Sequence, residues 1–144
     1  MNTQDYTCSI QTSASLAVAY DRIARVSEWW AKNFSGSARK PGDRFTVRFG
    51  TTFVDFAISE AVPERKIVWQ VVNCHLPWLQ DKTEWNGTSA SWEILAQNGL
   101  TSVNFTHHGL TPEVECFKAS EKGWDGHVKT SLLNFLNEGK GFPE

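Results

Sequence analysis

The sequence has few of the features that mark a protein that binds nucleic acid or spans a membrane. Its net charge is −2, charges of both signs are interspersed, and the densest basic run is the pair Arg39-Lys40. Nucleic acids and acidic membrane surfaces are recognised through clustered Lys and Arg, so we expect neither as a partner. No apolar run approaches the roughly 20 residues that a membrane-spanning helix needs. Residues 1–5 are polar, and we expect no signal peptide.

Cysteine is also sparse, and neither the cysteines nor the glycines are spaced for a metal or phosphate site. The three cysteines, Cys8, Cys74 and Cys116, lie far apart, and the glycines near the N-terminus are isolated turn residues rather than a phosphate-binding loop. We therefore expect no metal and no other cofactor. Separated free cysteines are typical of the reducing cytosol and indicate a cytoplasmic protein. Cys116 is either a buried, inert thiol or a thiol whose pKa is lowered by a nearby helix start.

Aromatic residues are the abundant class, with seven Trp and nine Phe against two Tyr. A chain of 144 residues predicts a single domain, residues 1–144, that buries about two thirds of its unfolded surface without disulfides. This aromatic excess either fills the core of the domain or lines a cavity inside it.

Alternating apolar and polar residues predict most of the strands. Tyr6–Thr12 alternates as a half-buried strand, Ser13 or Ser15 can cap a short helix that runs through Arg22, and Ser27 can cap a second one. A meander of about five further strands follows. Its turn signals are Pro41-Gly42-Asp43, Gly50-Thr51, Pro63-Glu64-Arg65 and, strongest, Asn98-Gly99.

A long amphipathic helix closes the chain. Thr111-Pro112-Glu113 has the composition of a helix start, and Gly139 is a typical C-terminal signal. Gly123 and Gly126 weaken the middle of this helix, which indicates a bend or room for a neighbouring group. An antiparallel sheet must bury one face, and this helix is the long element available to cover it. The predicted class is therefore α+β, with a curved antiparallel sheet of about six strands wrapped around the C-terminal helix.

Several motifs together resemble a known superfamily over nearly the whole chain. They are Trp29-Trp30, Gly42-Asp43-Arg44-Phe45, Pro63-Glu64-Arg65-Lys66-Ile67-Val68-Trp69, Trp85-Asn86-Gly87-Thr88, Phe105-Thr106-His107-His108-Gly109-Leu110 and Gly123-Trp124. The chain resembles the helix-grip SRPBCC superfamily of START domains, birch-pollen-allergen-like proteins and polyketide cyclases. Within it, the chain is similar to the branch of the ATPase activator of the ninety-kilodalton heat-shock protein, in its bacterial single-domain form. The resemblance implies the helix-grip fold, which serves carriers, enzymes and regulators alike.

The first functional hypothesis is a binding protein for a hydrophobic or aromatic small molecule, held between the concave sheet and the last helix. Side chains that would converge on that space supply an apolar lining. The predicted lining residues are Trp29, Trp30, Phe45, Phe49, Trp69, Trp92, Phe105, Trp124, Val128 and Phe135.

Three polar residues are candidates for orienting the ligand: His107, Gln70 and Asp55. His107 shares a strand face with Phe105 and points inward if Phe105 does, so His107 and His108 cannot chelate one metal from the same side. His107 is either a polar anchor or proton donor to a ligand, or a histidine bonded to a backbone carbonyl. Glu84 and His127 are further candidates near the cavity.

Two other functions stay open at this point. One is an enzyme of the cyclase, dehydratase or hydrolase kind, with His107 and one acid as a proton relay. The other, which follows from the resemblance alone, is a stress-related domain that binds a chaperone partner. An exposed edge strand could also pair with a second copy of the chain as a homodimer.

Overall fold

Seven antiparallel strands form one sheet in the computed structural model, which describes residues 4–144. The polar residues 1–3, which contribute to the signal-peptide prediction, lie outside the described range. The strands are β1 (Tyr6–Thr12), β2 (Asn33–Gly36), β3 (Arg44–Phe49), β4 (Thr52–Val62), β5 (Lys66–His75), β6 (Ser89–Gln97) and β7 (Leu100–His108). Their order across the sheet is β1-β7-β6-β5-β4-β3-β2.

The sheet has one strand more than the sequence predicted. The extra strand is β2, which has four residues and pairs with β3 at the sheet edge. It was missed because Asn33-Phe34-Ser35-Gly36 is too short to show an alternation. The predicted hairpin between β6 and β7 is confirmed. Asn98 and Gly99 both have positive φ, 53° and 79°, as a two-residue type I′ turn requires.

Two short helices, α1 (Leu16–Ala24) and α2 (Val26–Trp29), follow β1 as predicted. Ser15, and not Ser13, caps α1, because its hydroxyl accepts the amide of Val18 at 3.1 Å. Ser27 was wrongly predicted as the second cap, since α2 already begins at Val26.

The C-terminal helix begins later than predicted. It consists of α3 (Phe117–Trp124), a π-helical segment (Asp125–Leu132) and α4 (Leu133–Glu138). The predicted start at Thr111-Pro112-Glu113 was wrong. The Glu84 carboxylate accepts the amides of Glu115 and Cys116 at 3.0 and 2.9 Å, which satisfies donors at the true helix start. The predicted C-terminal signal is confirmed, because Gly139 is left-handed with φ 78°.

The buried stripe of this helix faces the concave side of the sheet. Trp124, Val128 and Leu132 recur every four residues and are all buried. A π-helical segment has wider turns than an α-helix, so residues four apart stay nearly in line along it. Phe135 continues the stripe in α4. The predicted helix-grip α+β architecture is therefore confirmed.

The two types of glycine in this fold predict opposite outcomes for the same substitution. Gly126→Ala places a Cβ where no atom lies within 4 Å and removes a glycine from a helix interior, so we expect the free energy of unfolding to rise by up to about 1 kcal/mol. Gly99→Ala is the matched control. At φ 79° the alanine is strained, so stability should fall. Urea unfolding of both variants checks this, and a Gly126→Ala protein less stable than wild type would contradict it.

Candidate functional site

The aromatic residues predicted for the interior do converge, but most of them fill it. Trp29, Trp69, Trp92 and Phe105 are completely buried. Trp92 lies over Phe105 with ring centres 4.3 Å apart, and Trp29 meets Trp92 at 5.6 Å. Phe45, Val128 and Phe135 are buried in the same cluster. The middle of the sheet is thus a packed aromatic core, which leaves open space only toward one end.

That space is an apolar cavity of about 280 Å³. It lies between the hairpin of β3 and β4, the connection of residues 76–88 and the first turns of the C-terminal helix. Its lining residues are Trp30, Phe49, Thr52, Val54, Leu76, Trp78, Trp85, Ala119, Ser120, Gly123, Trp124 and His127. Three of the predicted residues, Trp30, Phe49 and Trp124, are among them.

The cavity walls are mainly indole rings. Trp85 and Trp124 are stacked with centres 6.0 Å apart and planes 8° from parallel. Trp30 packs against Trp124 at 5.0 Å. Trp78 lies at the opening with 51% of its surface exposed. Such walls favour a flat apolar molecule that can stack on them.

A pair of carboxylates fixes the connection of residues 76–88 above the cavity. The Glu115 carboxylate accepts the amide of Gln80 at 3.1 and 3.0 Å and that of Asp81 at 3.3 Å. In the opposite direction, Glu84 in this connection accepts the amides of Glu115 and Cys116. Trp78 and Trp85 are carried by this connection, so the reciprocal pairing positions both indoles against α3.

His107 is a structural residue with a defined tautomer. The Trp124 indole N–H donates to His107 Nδ1 at 3.1 Å, and an indole nitrogen can only donate, so Nδ1 carries no proton. The proton is on Nε2, which donates to Thr88 Oγ1 at 2.8 Å, and that hydroxyl donates to the Trp85 carbonyl at 2.6 Å. Burial, with a smaller contribution from neighbouring His108, lowers the pKa of His107 to about 3. Both ring nitrogens are occupied by protein groups, so neither is free for a ligand.

The two other predicted polar residues lie on the outer face of the sheet. Asp55 alternates with buried Val54 and Phe56, and its carboxylate accepts the Thr46 hydroxyl on the neighbouring strand. Gln70 follows buried Trp69, and its side-chain amide donates to the Thr88 carbonyl at 3.1 Å. We predicted that both residues orient a ligand inside the fold, and this placement corrects that prediction. The alternation of each strand turns their side chains away from the interior.

Among the described residues, His127 is the one titratable side chain in the cavity lining. Its ring centre lies 6.0 Å from that of Trp30 and 6.5 Å from that of Phe49, while Nε2 is 4.0 Å from a Glu144 carboxylate oxygen. Burial lowers the pKa of His127, and Glu144 partly offsets this effect. The neutral ring is therefore favoured near pH 7 and adds a polar edge to the cavity.

Cys116 is a buried thiol close to the cavity. Burial raises its pKa to about 11, so the interpretation as a thiol activated by a helix start is wrong. The Trp85 indole and the Ser120 hydroxyl lie near enough to lower this pKa, although neither makes a hydrogen bond of good geometry to the sulfur.

Sequence reasoning missed most of the lining, and one signal could have found part of it. Leu76, Trp78 and Trp85 all lie in the connection between β5 and β6, and connections of that length are uncommon unless they serve a function. Ser120 and Gly123 lie on the face of α3 that is turned toward this connection. That approach is visible in the assembled structure and not in the sequence.

Two general features of the described residues bear on function. Within residues 4–144, no three His, Cys, Asp or Glu side chains are grouped closely enough to hold a metal ion. None of the helices in that range is long and apolar enough to cross a membrane.

The lowered pKa of His107 predicts a pH-dependent loss of stability. Below pH 6.5 the unfolded chain binds a proton that the folded chain does not bind until about pH 3. In this window the free energy of unfolding of the wild type should fall, relative to His107→Gln, by at most about 1.4 kcal/mol per pH unit. Urea unfolding from pH 7 to pH 3 measures the difference. His75→Gln is the control. If the free energy of unfolding changed equally with pH in the wild type and in His107→Gln, the buried neutral histidine would be refuted.

The carboxylate pairing predicts local protection of the connection at residues 76–88. Glu115→Gln weakens the charge-assisted bonds to the amides of Gln80 and Asp81, so their hydrogen exchange should become faster. The exposed Glu93→Gln on β6 is the control and should leave both amides unchanged. Equal exchange in all three proteins would show that Glu115 does not hold the connection.

Comparison with known proteins bears on the fold. No protein-family model and no protein of curated function matches the sequence. The Aha1 dimer from Colwellia psychrerythraea is similar over 96% of this chain and 99% of that one, with 23% identity and a TM-score of 0.78. SSP2350 from Staphylococcus saprophyticus is similar over 96% of both chains, with 13% identity and a TM-score of 0.73.

A third similar structure is longer than this chain. DynU16, from the dynemicin biosynthetic locus, matches 94% of this chain with 16% identity and a TM-score of 0.68, but this chain covers 48% of its length. At these identities the shared property is the fold. The similarity to Aha1 confirms the helix-grip fold that the sequence motifs implied.

Proposed function

We propose that the protein binds a small apolar or aromatic molecule in the cavity beneath residues 76–88. One observation carries this proposal: the interior is filled by aromatic side chains except at one end, where an open, indole-walled cavity remains. Its volume of about 280 Å³ is slightly below the range of roughly 300–1,000 Å³ that is typical of ligand sites. This volume suits a molecule with a single ring or with two fused rings.

The rigidity of the walls supports the same function. Trp124 is fixed by its bond to His107, and Trp85 belongs to a connection held by Glu84 and Glu115. A preformed cavity loses little conformational entropy when a ligand enters, which raises affinity for a given contact area.

Two observations weigh against the enzymatic alternative, in which His107 and one acid would relay a proton. His107 is occupied at both nitrogens, and among residues 4–144 no carboxylate lines the cavity. Binding to a chaperone stays a prediction from the resemblance. A homodimer also stays a proposal, which the dimeric state of the similar Aha1 protein supports.

Occlusion of the cavity tests the proposed function. Ala119 is an exposed α3 residue at the cavity lining, and Ala119→Phe places a ring in the opening. We expect the wild type to bind 2-propoxynaphthalene in a calorimetric titration and Ala119→Phe to bind it at least tenfold more weakly. At one hundred times the dissociation constant, bound ligand stabilises the wild type by about 2.7 kcal/mol, which a melting experiment detects.

The matched control is Ala17→Phe, the same substitution at an exposed alanine of α1. It should bind like the wild type. Equal affinity of Ala119→Phe and the wild type would place the ligand elsewhere and refute the proposed site.

A further inference from the structure

We infer that the ligand is amphipathic and that its polar end lies in a second compartment beside the aromatic cavity. This inference rests on the proposed function. The second compartment is a depression of about 410 Å³ on the C-terminal helix, lined by Lys122, Gly123, Gly126, His127, Thr130, Ser131, Phe142 and Glu144. It shares Gly123 and His127 with the cavity, so the two spaces adjoin.

Two glycines lie where the compartments adjoin, and we call them the glycine saddle (Gly123 and Gly126). Gly123 lines both spaces, and Gly126 lines the second one alone. Neither has a positive φ, and a Cβ on either would meet no atom within 4 Å. Neither backbone conformation nor packing therefore requires glycine at these positions. Since glycine weakens a helix interior, the pair has a cost that the fold does not explain. An unobstructed path across the helix does explain it.

The second compartment has a different chemistry from the first. Its lining includes the polar residues Lys122, Glu144, Thr130 and His127. With one positive and one negative side chain, it suits an uncharged hydrogen-bonding group, such as a hydroxyl or an amide, better than an ion of either sign.

The cavity wall beside the saddle carries an independent sign of an unfilled polar contact. Ser120 is 7% exposed and lines the cavity one turn before Gly123. Its Oγ lies near the Cys116 sulfur but makes no hydrogen bond of good geometry to any of residues 4–144. A buried hydroxyl without a partner is unfavourable. A polar atom of a ligand that crosses the saddle would supply the missing partner.

An isosteric pair of probes tests the two-compartment site. 2-(2-Naphthyloxy)ethanol and 2-propoxynaphthalene differ only in a terminal hydroxyl against a methyl group. If the tail lies across the saddle, the alcohol should bind about 2-fold to 10-fold more tightly in calorimetry, the range of one net hydrogen bond. If the tail lies in the apolar cavity, the ether should bind more tightly.

Gly126→Ala tests whether the preference for the alcohol arises in the second compartment. Gly126 lines the depression and not the cavity, so its alanine variant should abolish the preference for the alcohol, while the affinity for the ether and the melting temperature are not lowered. Lys118→Ala, at an exposed position of α3, is the control and should keep the preference. A preference for the ether in the wild type, or an alcohol preference that persists in Gly126→Ala, would overturn this inference alone. If neither probe binds the wild type, the proposed function fails with it.

Discussion

The hydrogen bond from the Trp124 indole to His107 links the C-terminal helix to the sheet at the wall of the cavity. It joins the C-terminal helix to β7 across 3.1 Å, and the same indole packs on Phe105 at 4.5 Å and on Trp30 at 5.0 Å. The opposite ring nitrogen of His107 continues through Thr88 to the Trp85 carbonyl. One buried neutral histidine thus fixes the helix and the segment that carries the other wall of the cavity.

The remaining indoles are held by packing more than by hydrogen bonds. Trp69, Trp85 and Trp92 each have a buried N–H without a partner among the described residues. Each such group lowers stability, so the rings must be retained by the surface they bury and by their mutual stacking. Close packing fills the middle of the sheet, and the cavity lies where the aromatic cluster ends.

The sequence predicted the parts of this structure that depend on local patterns. Alternation placed Phe105 and His107 on one shared face, Asn98-Gly99 set the hairpin, and Gly139 ended the helix. The same patterns predicted that aromatic side chains converge. Whether they line a space or fill it depends on how their volumes fit together in three dimensions, which periodicity does not encode.

Several of the errors involve a contact between segments distant in the chain, which local patterns do not show. The helix start moved to Phe117 because Glu84, in another connection, accepts the amides just before it. Asp55 and Gln70 were assigned to the interior although the alternation around them, once the inner face is known, turns them outward. Trp85 and Ser120 entered the site through the approach of residues 76–88 to α3.

The most direct test of a binding cavity is to identify what the protein carries. The protein would be purified without denaturation, extracted with organic solvent and the extract analysed by mass spectrometry, after which the melting temperature of the stripped protein is measured with the extract added back. The account predicts a stoichiometric apolar molecule of one or two rings that raises the melting temperature. An extract without such a molecule, together with no melting shift across a panel of aromatics and lipids, would contradict it.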